Sequence, residues 1–362
     1  MRAVFYWGRA GLGFEKNNPY GPLLARAMAG LGVELEAGYD EDLSESWLME
    51  NRGRVDVLHL NWPSYMYNTD DAGESVERCA ELIGHLTLAR FLGYRVVWTV
   101  HNLYPHERPH PGLDRLARLA ITRLATALIV HCEYGRAQVL KHFHRTHGTF
   151  TIPHGHFIDA YENKVSRGEA RRTLGIAAEA FVYLFFGNVK RYKGVENLLE
   201  VFTRLPGEQL RLLLAAKVNS EYSADVVARA HAVDPRILMQ TAEFFPDEEL
   251  QLFFNASDVM VLPFVDMLTS GSAITAMSFA RPVIAPGIGC LPELLDENSG
   301  IIYDASDRNG LRRAMEGIRE RDMSACSKGA FQRAKALSWE SIAEKTLEAY
   351  RFGPKGPDQG AL

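Results

Sequence analysis

The sequence FVYLFFGNVKRYKGVENLLEVF, residues 181–202, decides the fold class of this chain. Its first six residues form an uninterrupted apolar and aromatic run, which is typical of a parallel strand buried on both faces. Gly187 ends that run, and a short basic loop follows. The second half repeats apolar residues at the spacing of one helix face: Val195, Leu198, Leu199 and Phe202. The stretch therefore predicts a strand, loop and helix of an open α/β sheet.

Three basic residues occupy the loop between that strand and helix: Lys190, Arg191 and Lys193. The loop lies at the carboxyl end of a parallel strand, where open α/β sheets bind ligands, and at a helix start, which favours an anion. We therefore predict that it holds a diphosphate. The run TSGS at 269–272 also lies between a strand and a helix. Its hydroxyls and backbone N–H groups either cap that helix or bind the same anion.

Length and composition narrow the class of protein. With 362 residues, the chain exceeds what one hydrophobic core usually covers, so two domains are expected. A net charge of −5 speaks against nucleic acid as a partner. The N-terminal apolar stretch is too short for a signal peptide, and no run reaches the roughly 18 apolar residues that span a membrane. These features predict a cytoplasmic protein. The four cysteines contain no CxxC and no zinc spacing, so no metal is predicted.

Strands alternate with helical patterns along the whole chain, as in parallel βαβ units. A polar, charged segment at 163–174 divides them and is interpreted as a linker. The predicted fold class is therefore α/β, with two doubly wound, Rossmann-like domains facing across a cleft. The expected divisions are a first domain at 1–163, a second at 175–335, a last helix at 336–352 and a disordered tail at 353–362.

The first predicted strand, Arg2–Trp7, precedes a glycine-rich loop that contains Gly11 and Gly13. A strand, a glycine loop and a helix open a nucleotide-type domain. The full dinucleotide fingerprint is missing, however, and no clear strand ends in an acid about 20 residues later, which speaks against a nicotinamide dehydrogenase. These glycines either form a structural turn or contact a nucleotide.

Taken together, the motifs resemble one family. Four segments resemble the donor-binding half of GT-B-fold glycosyltransferases: FGNVKRYKGVENLLEVF, PDEELQLFFNASDVMVLPF, TSGSAITAMSFARPVIAP and GCLPELLDENSGIIYD. The nearest group is the bacterial one that includes glycogen synthase and the phosphatidylinositol mannosyltransferases. WTVHNLYPHE and IPHG resemble its acceptor half, and SWESIAEKTLEAY its closing helix, which returns to the N-terminal domain. The resemblance implies transfer of a sugar from a nucleoside-diphosphate sugar to an acceptor held between the domains.

The resemblance also implies roles for single residues. Lys193 matches the lysine that holds the donor diphosphate, and His101 matches a histidine that contacts the donor sugar. Asn188 stands where the group has an arginine, so Lys190 or Arg191 is expected to supply the missing charge.

Two glutamates that the group uses for the sugar and the ribose are replaced by Met267 and Thr275. Thr275 is still expected to donate a hydrogen bond to the ribose, whereas Met267 cannot replace a carboxylate, which leaves the stereochemical outcome open. Glu243 and Phe244 end a predicted strand, where this fold places the nucleobase. The hydroxyl and backbone amide groups of Ser270, Gly271 and Ser272 are expected to replace part of what the two glutamates do.

An inverting enzyme needs a general base, and Glu107, with His106 beside it, is the best-placed candidate. Glu15 and His59 are further candidates, but residues of this kind are more often surface or hinge residues, and that interpretation is favoured for each of them. The acidic pair within Asp40–Asp42 is interpreted as a solvated turn. Because the resemblance implies that protein cations replace Mg²⁺, neither a metal nor a cofactor is expected.

An amphipathic, basic helix is predicted in the acceptor half, with leucines at 113–124 and with Arg108, Arg115, Arg118 and Arg123. Such a helix either rests on an anionic membrane, near a lipid-linked acceptor, or packs its leucines on the sheet with its arginines in water.

The predicted function is therefore metal-independent hexosyl transfer from a GDP- or UDP-sugar to a lipid-linked or oligosaccharide acceptor, in polysaccharide biosynthesis. The predicted location is the cytoplasm, with peripheral contact at the inner face of the membrane. The alternatives are a nucleotide-sugar epimerase or hydrolase of the same fold and a non-catalytic nucleotide-binding protein.

Overall fold

The computed structural model describes residues 1–8, 18–39, 43–107 and 109–353, without the side chains of residues 231 and 232. The chain divides into two compact units, residues 1–155 with 338–362 and residues 156–337. Each unit contains a parallel six-stranded sheet flanked by helices. The predicted α/β class is therefore confirmed.

The first sheet has the strand order β2-β1-β3-β4-β5-β6. Its strands are β1 (Arg2–Gly8), β2 (Glu34–Tyr39), β3 (Val57–Leu60), β4 (Arg95–Thr99), β5 (Ala127–Val130) and β6 (Thr149–Thr151). The helices between them are α1 (Tyr20–Ala29), α2 (Glu45–Glu50), α3 (Ser64–Tyr67), α4 (Ala72–Leu92), α5 (Pro111–Leu124) and α6 (Glu133–Phe143).

The edge strand β2 was not among the strands predicted from the sequence. It pairs with β1 alone, and its residues ELEAGY include few buried apolar side chains. An edge strand keeps polar residues on its exposed side, so its sequence lacks the apolar run that identifies an inner strand. β2 ends at Tyr39. Residues 40–42, which contain the predicted acidic pair, lie outside the described residues.

The second sheet has the strand order β12-β11-β10-β7-β8-β9. Its strands are β7 (Phe181–Asn188), β8 (Leu210–Lys217), β9 (Ile237–Ala242), β10 (Val259–Val261), β11 (Val283–Pro286) and β12 (Gly300–Tyr303). Its helices are α7 (Arg167–Thr173), α8 (Val195–Thr203), α9 (Glu221–Val233), α10 (Leu250–Ala256), α11 (Gly271–Ser278), α12 (Leu291–Leu294), α13 (Gly310–Gly317) and α14 (Met323–Lys335).

The order of the second sheet reverses between β7 and β10. The strands β7, β8 and β9 run to one side of this point, and β10, β11 and β12 run to the other. The carboxyl edge at such a switch point leaves a crevice, and α/β proteins bind ligands there. The loop with Lys193 follows β7 and the loop with Ser270 follows β10. Both predicted anion-binding loops therefore lie at the switch point.

The strand β7 is buried on both faces, as predicted. Val182 and Leu184 belong to the core on one side of the sheet, and Tyr183 and Phe185 belong to the core on the other. All four side chains are fully buried. This alternation explains the uninterrupted apolar sequence, because neither face of β7 meets solvent.

The segment at 163–174 contains the helix α7 and is not a linker. α7 packs in the second unit, with Ala170 in its core. Arg171 is buried and forms an ion pair with Asp258 (2.9 Å). The charged residues suggested an exposed linker, but one of these arginines, Arg171, is paired with Asp258 in the interior of the unit.

The last helix, α15 (Trp339–Arg351), belongs to the first unit and packs on α1. The ring centroid of Trp339 lies 5.3 Å from that of Tyr20. The Tyr350 hydroxyl is 2.7 Å from His59 Nδ1, in the interior of the unit. Residues 354–362, most of the predicted tail, lie outside the described residues.

Helix α5 differs from the predicted basic helix in the side chains that it buries. Asp114 and Arg118 are buried, and the Arg118 guanidinium lies 5.1 Å from the centroid of a Trp98 ring. Leu116, in contrast, is 58% exposed. Arg108 lies outside the described residues. Of the helices that the structure describes, none is both long and apolar enough to cross a membrane.

Gly194 sets the close approach of two loops at the switch point. Its φ of 64° is left-handed, and a Cβ at this position would lie 2.1 Å from the carbonyl oxygen of Pro263. Gly175 has nearly the same φ, 65°, but no heavy atom lies within 4 Å of the Cβ it lacks. The two glycines therefore separate the cost of backbone strain from the cost of a clash.

We expect Gly175→Ala to lower the free energy of unfolding by about 1 kcal/mol, because only the left-handed conformation opposes it. Gly194→Ala should cost at least about 3 kcal/mol, because the backbone of Pro263 must also move. Urea unfolding followed by circular dichroism measures both. Equal losses for the two variants would mean that the loops are not in tight contact.

Candidate functional site

The loops that follow β7 and β10 are joined at the switch point. The backbone N–H of Val265 donates to the carbonyl oxygen of Tyr192 (2.8 Å). Beyond Val265 the chain reaches Ser270, whose hydroxyl oxygen accepts from the N–H of Ala273 (3.1 Å) and caps α11. The start of α11 and the turn before α8 therefore share one edge of the sheet.

Lys193 lies at the centre of this edge. Its Nζ is 3.3 Å from where a Cβ on Gly187 would lie and 5.8 Å from the centroid of the Phe264 ring. The side chain is half-buried, and within the described residues no carboxylate lies within 4.0 Å of its ammonium. Burial, and then the positive charge of Lys217, lower the pKa of Lys193 to about 8. The fold thus holds an ammonium group where its charge is disfavoured.

The other residues of the β7 loop have different surroundings. Arg191 is exposed, and its guanidinium lies 4.6 Å from the ring centroid of Tyr222, on α9. Asn188 is half-buried and its Oδ1 accepts from Asn219 Nδ2 (3.3 Å). Lys190 is half-buried and precedes the 3-10 turn that contains Lys193.

The residues at the start of α11 differ in their exposure to solvent. Gly271 is exposed, Ser272 is half-buried, and Ser270 and Thr275 are buried. The Thr275 hydroxyl donates to the carbonyl oxygen of Gly271 (2.9 Å), so its proton is used within the helix and only its lone pairs remain for a ligand. Met267 is buried.

The predicted nucleobase residues follow the end of β9. The strand ends at Ala242, two residues before its predicted end, and both Glu243 and Phe244 are exposed. The Phe244 ring is 50% exposed, and its centroid lies 4.6 Å from the Nζ of Lys217, at the end of β8. An exposed aromatic ring at this edge offers a surface on which a base can stack.

Four buried histidines lie at or beyond the carboxyl ends of strands in the first unit: His59, His101, His131 and His154. His131 donates from Nδ1 to the carbonyl oxygen of Ile152 (2.9 Å), and its Nε2 is 3.2 Å from Nδ1 of His101. The other nitrogen of His101, Nε2, is 3.0 Å from Oδ1 of Asn61. Protein groups therefore hold both ring nitrogens of His101.

Aromatic rings enclose this histidine cluster. Trp62 stacks on His101 with centroids 4.3 Å apart and a 13° angle between the rings. Tyr20 lies 5.2 Å from His101 and 4.7 Å from His154, measured between centroids. Within the described residues, no group of three or more His, Cys, Asp or Glu side chains is arranged to hold a metal ion.

Burial lowers the pKa of all four imidazoles. The pKa values fall to about 3 for His59 and His154 and to about 4 for His131. The pKa of His101 is lowered well below its ordinary value, by burial first and by the neighbouring histidines second. The cluster is therefore neutral at neutral pH.

The remaining predicted residues lie apart from these clusters or outside the described residues. Glu107 and His106 are exposed, in the loop after β4. Gly11, Gly13 and Glu15 lie outside the described residues.

Sequence reasoning missed four residues at strand ends: Asn61, His131, His154 and Lys217. Each lies at the end of a strand or within a few residues of it. This position could have identified them as candidates from the sequence, because ligands bind at the carboxyl edge of a parallel sheet.

Comparison with known families identifies the second unit. Residues 180–320 match the model described as glycosyl transferases group 1. Residues 180–320, called the group 1 domain below, are therefore similar to a glycosyl transferase. This domain contains the switch point, with both β7 and β10 and the loops that follow them. The resemblance to glycosyltransferases noted in the sequence is confirmed.

Curated relatives match a larger part of the chain than this domain. A GDP-mannose:glycolipid 4-beta-D-mannosyltransferase of Xanthomonas campestris pv. campestris is 32% identical over 242 residues, which are 64% of this chain and 62% of the relative. A D-inositol 3-phosphate glycosyltransferase of Corynebacterium kroppenstedtii is 26% identical over 268 residues, 69% of this chain and 59% of the relative. The chain thus spans about three fifths of the length of these relatives.

Solved structures match nearly the whole chain in fold. A sucrose-phosphate synthase from Thermosynechococcus elongatus has a TM-score of 0.75 at 19% identity, with 97% of this chain and 98% of that one covered. The Anabaena protein Alr3699/HepE, solved in complex with UDP, has a TM-score of 0.70 at 16% identity, with 96% and 99% covered. The predicted GT-B fold is confirmed.

In the group 1 domain, we expect Lys193→Met to leave the melting temperature unchanged or to raise it, because an unpaired, half-buried ammonium is removed. If Lys193 binds a diphosphate, wild-type affinity for a nucleoside diphosphate should fall as pH rises through about 8, where the free lysine loses its proton. Calorimetric titrations between pH 6.5 and 9.5 measure this. A flat profile, or a marked loss of stability in the variant, would contradict the assignment.

In the first unit, we expect acid to destabilise the fold through the four buried histidines. In the unfolded chain these histidines bind protons as the pH falls below about 6.5, whereas the buried imidazoles of the folded chain stay neutral. The free energy of unfolding is therefore highest above this pH and falls as the pH drops towards 4. The loss at pH 5.5 should be about 1.4 kcal/mol for each histidine.

All five tryptophans of the chain lie in the first unit, so their fluorescence during urea unfolding at pH 7.5 and 5.5 reports on it. His59→Gln should remove one share of the pH dependence, and the exposed control His147→Gln should remove none. An unchanged pH dependence in His59→Gln would show that His59 is not buried as a neutral group.

Proposed function

We propose that this chain is a glycosyltransferase that takes its sugar from a nucleoside-diphosphate sugar, a GDP-sugar first and a UDP-sugar as the alternative. The observation that carries the proposal is the half-buried ammonium of Lys193 at the switch point of the sheet, where no carboxylate of the described residues lies within 4.0 Å of it. A departing diphosphate would supply the opposite charge. Electrostatic stabilisation of a leaving group by one such donor is typically worth roughly 3 kcal/mol.

The relatives support the choice of donor and acceptor. The Xanthomonas relative is a GDP-mannose:glycolipid mannosyltransferase, which favours a GDP-sugar and a lipid-linked acceptor for this chain. Alr3699/HepE, which shares the fold, was solved with UDP and with UDP-glucose, and it is the reason for the second donor. The proposal also includes an oligosaccharide as the alternative acceptor and a reaction that needs no metal. It places the protein in the cytoplasm, in contact with the inner face of the membrane through residues 113–124.

Roles for the other predicted residues follow from the same reaction. Ser270, Gly271 and Ser272 would hold the diphosphate at the start of α11, while Glu243 and Phe244 would contact the base. Because both nitrogens of His101 already have protein partners, contact with the donor sugar would require the exchange of one partner, the Asn61 carboxamide. Glu107 remains a candidate base.

A thermal-shift screen with GDP, UDP, ADP and dTDP identifies the base, because a ligand that binds the native state raises the melting temperature. We expect GDP to give the largest shift and Lys193→Met to abolish it. Lys328→Met, an exposed lysine of the same unit, is the control and should respond like wild type. A full shift in Lys193→Met would remove the diphosphate assignment.

Product analysis then separates transfer from the alternatives. With the preferred nucleotide sugar and an extract of bacterial glycolipids, we expect a glycosylated lipid, and Lys193→Met should lower its rate at least about 100-fold. Free sugar or an epimer without added acceptor would favour the hydrolase or epimerase. Nucleotide binding without any product would favour a non-catalytic protein.

A further inference from the structure

Lys217 is the last residue of β8 and lies beside the donor edge of the group 1 domain. It stands opposite Asn188 in the β7–β8 register, so its backbone is next to the end of β7. Its side chain is half-buried between two aromatic rings, with Nζ 4.6 Å from the centroid of Phe244 and 6.0 Å from that of Phe186. The rings fix the position of the ammonium at the same edge as Lys193.

The two lysines repel one another. Burial first, and the positive charge of Lys217 second, lower the pKa of Lys193 to about 8. Within the described residues, neither has a carboxylate within 4.0 Å. Asp247 is the acid that acts on Lys217, and it raises the pKa of that lysine less than burial lowers it. Asp247 itself also faces Glu248.

Two ammonium groups at one edge, with no carboxylate within 4.0 Å of either among the described residues, lower the stability of the fold unless a ligand supplies more negative charge. Arg191 does not occupy this place, because its guanidinium is stacked on Tyr222. Asn188, at the end of β7, carries no charge. Lys193, whose Nζ lies beside Gly187 of β7, and Lys217, the last residue of β8, are therefore both half-buried cations at this edge of the sheet.

We propose that Lys217 is a second diphosphate-binding lysine, which shares the two phosphates of the donor with Lys193. The inference rests on the proposed function and adds a residue to its site. A diphosphate carries more than one negative charge, so it can pair with both ammonium groups at once. A monophosphate has one phosphate group fewer, so we expect it to gain less from the second lysine.

The matched variants for the test are Lys217→Met, Lys217→Arg, Lys193→Met and the exposed control Lys328→Met. Calorimetry with GDP, UDP, GMP, UMP and inorganic pyrophosphate gives the affinities. We expect Lys217→Met to weaken the preferred nucleoside diphosphate and pyrophosphate by about 10- to 100-fold, which is the loss of one charge-assisted hydrogen bond. The matching monophosphate should change by less than about threefold, and Lys217→Arg should restore most of the affinity.

Two outcomes would overturn the proposal. If Lys217→Met binds the diphosphate as wild type does while Lys193→Met does not, Lys217 takes no part, and the proposed function survives. If Lys217→Met weakens mono- and diphosphate equally, the lysine acts by supporting the Phe244 ring under the base. Should Lys193→Met also bind the diphosphate normally, the failure belongs to the proposed function, because the site itself is then misplaced.

Discussion

A backbone hydrogen bond, from Val265 N–H to the carbonyl oxygen of Tyr192, joins the two loops of the proposed donor site. It joins the strand ends on either side of the switch point, where a parallel sheet leaves its crevice. The bond needs a close approach of the two backbones, and Gly194 permits it because a Cβ there would meet Pro263. With the loops fixed in this way, Lys193 is held beside Gly187, at the carboxyl edge of the sheet. The sheet order and one glycine thus place a charge where a ligand can reach it.

The second unit could be predicted from sequence to a large extent. The run from Phe181 to Phe186 is continuous because β7 contributes side chains to two cores, and the basic loop follows it directly. The edge strand β2 could not be found in this way, because only part of it is buried. The helix α7 was hidden by its charges, and Arg171 is paired with Asp258, which lies 87 positions away in the chain. Pairing over such a distance leaves no local signal.

The candidate site was partly predictable for the same reason. Lys193 lies in a motif, so both its place and its neighbours follow from local sequence. Lys217 lies at the end of an ordinary apolar strand, and its nearness to Lys193 depends on the pairing of β7 with β8. Thr275 shows a further limit, since the sequence reveals a hydroxyl but not that its proton bonds to Gly271. The histidines of the first unit are likewise scattered in sequence and are gathered by the parallel strands.

The proposed function requires that a nucleoside diphosphate neutralises the ammonium of Lys193 beside the end of β7. A crystal structure of the protein soaked with GDP or UDP would show this contact. We expect a phosphate oxygen about 2.8 Å from Lys193 Nζ, with the diphosphate lying between the β7 loop and the start of α11. A nucleotide bound with its phosphorus atoms far from Lys193 would contradict the claim.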